Sequence, residues 1–520
     1  MPKRSIAARG VPNSFEQVLA DWAAAAKTVA PVELWCFLIL GVVIFLVYLP
    51  GIAIPYYGDD VGWFDAVSNP WRHFVQVNAD GWYRPLQAGI YTVVQKHFGL
   101  STVPVHLAML LIHALLCVLV IQATTDLGYG GVSALLAGVL MALSQANAFA
   151  LLSNDTLSQV AGTFFGCLAL WALARPHLRR RSAEGSAGMY PISIGAFAVA
   201  LLFKETTSSF LPLLLCVVAL INYREPHWRG FITRSLAMSL PFVVVFLGYL
   251  GIRTLVGANS PSFGTGGYQF HIGSNVILNV LMDFAALVLP VSSVTVYEAL
   301  VARSTATLAL IGGAAAFFVV VIAYGLWLKR RDWRPAIVVL MMLGSVFPMV
   351  IMNHVSELYV YNTTPFFSIL AGIGLGAVLE SEPLRRYVAA ALSACILLLL
   401  AGQVTAIRDK ALLMQENGER AARLVAAIGD YIRQVPPHGA LLLVNPPKAE
   451  LEYAVYLMPG FKVLEFEESY MKKIYGREDI DLSIVDEADL KSRPAIRDTV
   501  MLGLQGDTLT PLATSPKKAR

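Results

Sequence analysis

Nine apolar runs, each close to the roughly 17–25 residues that cross a bilayer, punctuate this chain: 34–54, 105–123, 132–149, 157–173, 235–255, 305–328, 335–352, 364–379 and 387–404. Backbone in lipid must satisfy its own hydrogen bonds, so runs of this kind dictate a bundle of helices. Composition agrees. Of 520 residues, 56% are hydrophobic and 14% charged, against about 25% charged in soluble domains, and the mean hydropathy is +0.61. A tenth stretch, 189–221, is interrupted by "FKETTSSF". As one helix it would run about 50 Å, too long for a hydrocarbon core of about 30 Å. It reads as two short helices sharing a turn at or below the membrane surface, which brings the expected count to about eleven spans.

Basic residues set the sides. With the N-terminus inside, cytoplasmic segments hold seventeen Lys and Arg: Lys3, Arg4, Arg9, Lys27, those within 175–181, 224–234 and 329–334, and Arg385 and Arg386. Opposite segments before the tail hold five, namely Arg72, Arg84, Lys96, Lys204 and Arg303. This is a strong positive-inside bias. Its parity requires that 275–290, which carries Asp283, forms a re-entrant or interfacial segment rather than a full crossing. About 30 residues precede the first run and no small-residue cleavage site follows it, so that run reads as a retained anchor.

Three parts follow: a cytoplasmic segment 1–33, a transmembrane domain 34–404, and a small α/β domain 405–520 on the non-cytoplasmic side. In the last, 409–435 carries Leu424, Val425, Ile428, Tyr431 and Ile432 on one helical face. "PPHG" breaks that helix, "ALLLV" and "FKVLEFE" read as strands, and "TSPKKAR" is a polar tail. No basic-aromatic pattern suggests nucleic acid. The five cysteines fall in apolar runs, which suggests neither disulfides nor a zinc site.

The topology gathers polar residues on the outer face. "PYYGDDVGWF" holds Asp59 and Asp60. Aromatic burial and a like charge raise a carboxylate's pKa, so one of them suits a general base; a capping or solvated turn is the plainer alternative. Arg84, in "GWYRPLQAGIY", offers a planar fork for phosphate or carboxylate, or snorkels to head groups. Lys204 and Glu205 sit where ionisable residues are costly and usually functional, yet they would also serve as a structural ion pair. Arg253 lies one turn from the end of its span, where snorkelling is cheap. "MNHVSELYVYNTTPFF" places His354, Glu357, Tyr359 and Tyr361 at a mouth between spans, with Glu357 suited to sugar hydroxyls and the tyrosines to stacking. Asn154 and Asp155 read as an N-cap for the following helix. His106 and His113 are about 10 Å apart along their helix, too far to share a metal, and read as packing residues.

In order and sidedness, the acidic pair, "YRPL", "KE" and "ELYVY" resemble the GT-C superfamily of membrane glycosyltransferases, nearest in pattern to protein O-mannosyltransferase-like enzymes. The resemblance spans roughly residues 34–404; the tail shows no TPR period. It implies a polytopic α-helical fold with an outer cavity and a sugar donor carried on a polyprenyl or dolichyl phosphate. Inverting transfer, with mannose among the sugars, would go to an acceptor hydroxyl of a protein, lipid or polymer. Asp59 or Asp60 would be the base, Arg84, Lys204 and Arg253 would steady the donor phosphate, and Glu205, His354, Glu357, Tyr359 and Tyr361 would line the substrate site. No cofactor is expected: some GT-C enzymes use a divalent metal, but no clear ligand set stands out here. The expected location is a bacterial inner membrane, with the site and tail facing the periplasm or exterior. A transporter or flippase, or a non-catalytic partner of envelope polysaccharide assembly, is the alternative. The former should show paired broken helices in related halves, and none is found.

Overall fold

The computed structural model describes residues 31–57, 60, 63, 69–78, 81–178, 188–259, 269–352, 356–381, 386–444, 474–485, 490, 498–505 and 508–512. Among these, the first eight helices are α1 (Pro31–Tyr48), α2 (Pro85–Phe98), α3 (Val103–Asp126), α4 (Gly131–Leu143), α5 (Ala148–Leu152), α6 (Leu157–Leu178), α7 (Met189–Phe203) and α8 (Phe210–Asn222). Then come α9 (Trp228–Leu255), α10 (Ser274–Val288), α11 (Ser293–Val301), α12 (Thr305–Leu328), α13 (Arg334–Val350), α14 (Glu357–Val360), α15 (Thr364–Leu379) and α16 (Arg386–Ile432). Several carry proline at the first or second position, where its missing N–H costs nothing.

Among the described residues seven helical segments are long and apolar enough to cross a membrane, and the bent pair of α4 with 145–152 passes the same test. Shorter apolar helices are α7, α10, α13 and α15. The chain is an integral membrane protein. The interrupted stretch behaves as its sequence predicts: α7 ends at Phe203, a 3-10 turn covers Glu205–Ser209, and α8 resumes at Phe210.

Two segments depart from the sequence reading. The run 132–149 is not one straight span but bends by 44° between α4 and the helical turn that follows. Ser144 is extended there, and side chains replace the lost helical bonds: Asn147 donates to the Met141 carbonyl at 2.7 Å and Gln145 to the Ala286 carbonyl at 2.9 Å. The second departure is α16. The last span and the tail helix were expected as separate elements, but 386–432 forms one continuous helix of 47 residues, because no Gly or Pro breaks "QVTAIRDKALL". The boundary expected at 404/405 therefore falls inside a helix.

The bundle core centres on α15, most of whose side chains are buried. Its "AGIGLGAVL" lets backbones meet: Gly372 and Gly376 lie against Ser133 and Ala137 of α4, while Gly374 meets Ile322 and Gly325 of α12.

Beyond α16 the tail forms a sheet of order β2-β1-β3-β4: β1 (Ala440–Val444), β2 (Asp481–Val485), β3 (Thr499–Gln505) and β4 (Thr508–Pro511). Strand β1 pairs parallel with both β2 and β3, and β4 returns antiparallel. Val425, Ile428 and Ile432 pack on Leu441, Leu443, Leu482 and Leu502, with Tyr431 at the margin and Leu424 against Leu504. The predicted apolar helix face thus packs into the core of the tail, and "ALLLV" is one of its two inner strands. "FKVLEFE" and "TSPKKAR" lie outside the described residues.

Candidate active site

The polar groups collect where the loop between α1 and α2, the turn before α6, and the break between α7 and α8 come together. Asp60 is almost fully buried. Its carboxylate accepts from the Tyr57 amide at 3.2 Å, the Asn154 side chain at 2.9 Å, the Asp155 amide at 3.0 Å and the Ser153 hydroxyl at 3.4 Å. Donors of this kind hold a carboxylate in place and fasten the first loop to the 153–155 turn. The neighbouring Asp59 lies outside the described residues.

That turn does not cap α6 in the way its sequence suggests. Asn154 reaches back to Asp60 and to the carbonyls of Ile54 and Pro55. The Asp155 carboxylate accepts the Ser153 hydroxyl at 2.6 Å. From α2, the Tyr91 hydroxyl donates to the Asn154 carbonyl and Gln87 to that of Asp155. Asp155 is only partly buried and lies within electrostatic reach of both Arg84 and Lys204. It is the acid that sequence reasoning undervalued: an Asp two residues before a helix carries the signal of a cap, and only long-range contacts reveal its other neighbours.

Arg84, immediately before α2, lies near the rings of Trp63 and Trp82, its guanidinium carbon 5.6 and 5.2 Å from their centroids. It forms a two-pronged pair with Glu205, Nε to Oε2 at 2.9 Å and Nη2 to Oε1 at 2.6 Å. Burial alone would lower the guanidinium's pKa; the Glu205 charge and hydrogen bonds outweigh it and raise the pKa instead. Glu205 thus neutralises Arg84, a residue 121 positions away, rather than its neighbour Lys204.

Lys204 is 3% exposed. Its ammonium lies 5.5 Å from the Tyr359 ring centroid, and among the described residues it makes neither a hydrogen bond nor an ion pair. Arg253 is buried as well, so it does not snorkel. It donates to the Tyr249 hydroxyl at 3.1 Å and to the Asn259 carbonyl, and no carboxylate among the described residues pairs with it. Asn259 is fixed in turn by its amide's 2.9 Å bond to the Gly81 carbonyl. Gly81 has φ +77 and Asn259 packed over it, so a side chain at 81 would be strained. Tyr249 lies within electrostatic reach of Arg253, Glu205 and Arg84, which joins the three into one cluster.

Two predicted site residues lie apart from that cluster. Glu357 is buried and engaged by Lys410, by the Ser292 hydroxyl at 2.8 Å and by the Ser293 amide. Tyr361 is buried in the bundle, with its hydroxyl 2.8 Å from Nδ1 of His113. His106 meets the Leu152 carbonyl at 3.0 Å, a packing role like that of His113. His354 lies outside the described residues. Among the described residues no group of three or more His, Cys, Asp or Glu side chains is placed to hold a metal ion.

The bundle of apolar helices, with a small α/β domain carried on its last helix, is a fold shared with a solved structure. The chain is similar to ArnT from Cupriavidus metallidurans in the apo state, with a TM-score of 0.51 and 14% identity over 89% of this chain and 92% of that one. ArnT from the same organism bound to undecaprenyl phosphate matches at TM-score 0.49 and 15% identity, over 91% and 94% of the two chains. The apo oligosaccharyltransferase of Archaeoglobus fulgidus matches at TM-score 0.45 and 11% identity, over 79% of this chain and 62% of that one. No protein-family model and no curated protein matches the chain.

Proposed function

We propose that the chain is an inverting membrane glycosyltransferase that moves a sugar from a polyprenyl-phosphate donor to an acceptor hydroxyl. One observation carries the reading: among the described residues Lys204 is a buried lysine that forms no ion pair, with Asp155 only in electrostatic reach, beside an Arg84–Glu205 pair and an Arg253 that pairs with no carboxylate. Basic side chains that form no ion pair suit an anion, and a phosphate leaving group gains charge as the glycosidic bond breaks.

In the reaction the acceptor oxygen attacks the anomeric carbon, and the bond from that carbon to the phosphate oxygen breaks. The acceptor proton passes to a carboxylate, and the lipid phosphate leaves with the bonding pair, steadied by Lys204 and Arg253. Asp59 is the proposed base. Asp60 positions it, because the Asp60 carboxylate is already held by donors on two segments. Asp155, beside the same cations, is the second acid available to orient the acceptor. Tyr359 belongs to the donor side through Lys204; roles for His354, Glu357 and Tyr361 on substrate have no such support. Mannose is the sugar favoured by the sequence resemblance, and the proposed setting is the periplasmic face of a bacterial inner membrane.

The test uses purified full-length protein in detergent with undecaprenyl phosphate as probe. Lys204→Met is expected to weaken lipid binding by about tenfold or more, the loss of one charge-assisted contact. Wild-type binding by a folded Lys204→Met protein would remove the basis of the reading.

A further inference from the structure

A second charged cluster lies within the bundle, around the middle of α16. Lys410 and Glu357 form an ion pair in which both side chains are almost entirely buried. The ammonium also donates to the side-chain and backbone oxygens of Gln145, at the bend after α4. The Gln145 side chain in turn donates to the Ala286 and Val291 carbonyls, each at 2.9 Å, and its backbone N–H donates to Oε1 of Gln403 in α16 at 2.7 Å. Glu357 completes its shell with Ser292 and Ser293 at the start of α11. Asp283 of α10 lies within electrostatic reach of Glu357, with one carboxylate oxygen unpartnered.

Glu357 is the first residue of α14, a helix of four residues whose N-cap Ser356 accepts from the Leu358 amide at 3.3 Å. Tyr359, whose ring meets Lys204, is two residues further on. So short a helix has almost no hydrogen bonding of its own to fix its orientation. The grip on Glu357 fixes its first turn, while Val360 packs against Ala146, Ala286 and Leu287 at its other end. A second contact of α16 reaches the same region: Gly418 abuts Pro55, where a Cβ would come within 2.8 Å of the proline Cδ, in the loop that leads to Asp59.

We infer that Lys410 is a positioning residue for the donor site: by holding Glu357 it sets α14, and with it Tyr359 against Lys204, and so couples the C-terminal helix to lipid-phosphate binding. The inference rests on the reading of Lys204 as a donor-phosphate contact. Lys410 itself touches no reacting atom. Its removal leaves Glu357 buried beside Asp283 without a counter-charge, and α14 is expected to shift so that Glu357 reaches another donor.

The experiment measures undecaprenyl phosphate binding to full-length protein in detergent, for wild type, Lys410→Met, Lys410→Arg, Lys204→Met and the Lys410→Met/Lys204→Met double variant. Lys410→Met is expected to weaken binding by about three- to tenfold, the usual reach of coupling through a packed network. Lys410→Arg should recover most of that loss, because it keeps the charge. In the Lys204→Met background the Lys410 effect should vanish, since residues acting through one contact are not additive. Wild-type affinity in a folded Lys410→Met protein, beside a weakened Lys204→Met, overturns the positioning role alone; so does an additive double variant. Wild-type affinity in Lys204→Met overturns the donor-site reading and the inference together. Should Lys410→Met fail to fold, the neutral pair Lys410→Met/Glu357→Gln takes its place. It keeps a polar group for Ser292 and is expected to lose about threefold in binding; no loss overturns the inference.

Discussion

Two charged clusters, one under the first loop and one around Lys410, are built from similar residues and differ in their pairing. Around Lys410 the ammonium meets a carboxylate, and that carboxylate meets two further donors. Under the loop, Glu205 is consumed by Arg84, while Lys204 and Arg253 pair with no carboxylate among the described residues. Burying a charge is costly in either place. Where an ion pair is closed within the chain, the cluster holds helices together; where it is not, the proposed reading fills the place with an anionic ligand. The contrast separates scaffold from site without reference to which residues look catalytic.

The contrast can be broken most directly at Glu357. Glu357→Leu strands Lys410 in the bundle, and removal of one partner from a buried pair costs about 3–5 kcal/mol. A loss of thermal stability of that order is expected, and an unchanged melting temperature would mean that the pair is not sealed from water. Next in size is Asp59→Asn, which should leave lipid binding intact while single-turnover transfer falls at least about 100-fold, the contribution of a positioned base. Asp60→Asn should behave differently, with loss of both binding and stability, since it loosens the 153–155 turn; identical behaviour of the two variants would dissolve the distinction. Lys204→Ala should then weaken donor use by about 1.5–3 kcal/mol, the range of a charge-assisted contact, and Lys204→Arg by less. Equal, full activity in both would move Lys204 into the scaffold class. The smallest effect expected is at Gly81→Ala, where φ strain of about 1 kcal/mol or more disturbs Asn259 and through it Arg253. Its signature is a raised KM for donor with little change in kcat.

Local pattern carried much of this into view. The apolar runs, the break at "FKETTSSF" and the inward face of the tail helix are consequences of period and length, which a single chain displays openly. What sequence hides is pairing at a distance. Nothing near Arg84 announces Glu205, and Lys204–Glu205 looked the more natural pair because adjacency is all that a sequence offers. Asp155 was hidden by a familiar local role, and Lys410 by the charged neighbours Arg408 and Asp409, which face outward while it faces in. The bend at Ser144 escaped for the same reason: its side-chain partners come from α10 and α16, far along the chain.

The unbroken α16 gives the molecule a phase as well as a length. At about 1.5 Å per residue its 47 residues extend about 70 Å. Lys410 and Leu424 are 14 positions apart, close to four turns of about 3.6 residues, so the grip on the bundle and the grip on the sheet share nearly one azimuth. A single residue inserted between them would advance the tail by about 1.5 Å yet swing it through about 100° around the shaft. Seven inserted residues would restore the bearing and lift the tail by about 10 Å. Lengthening this helix is therefore a question of angle before it is one of distance, and the chain's tolerance for such changes should be periodic.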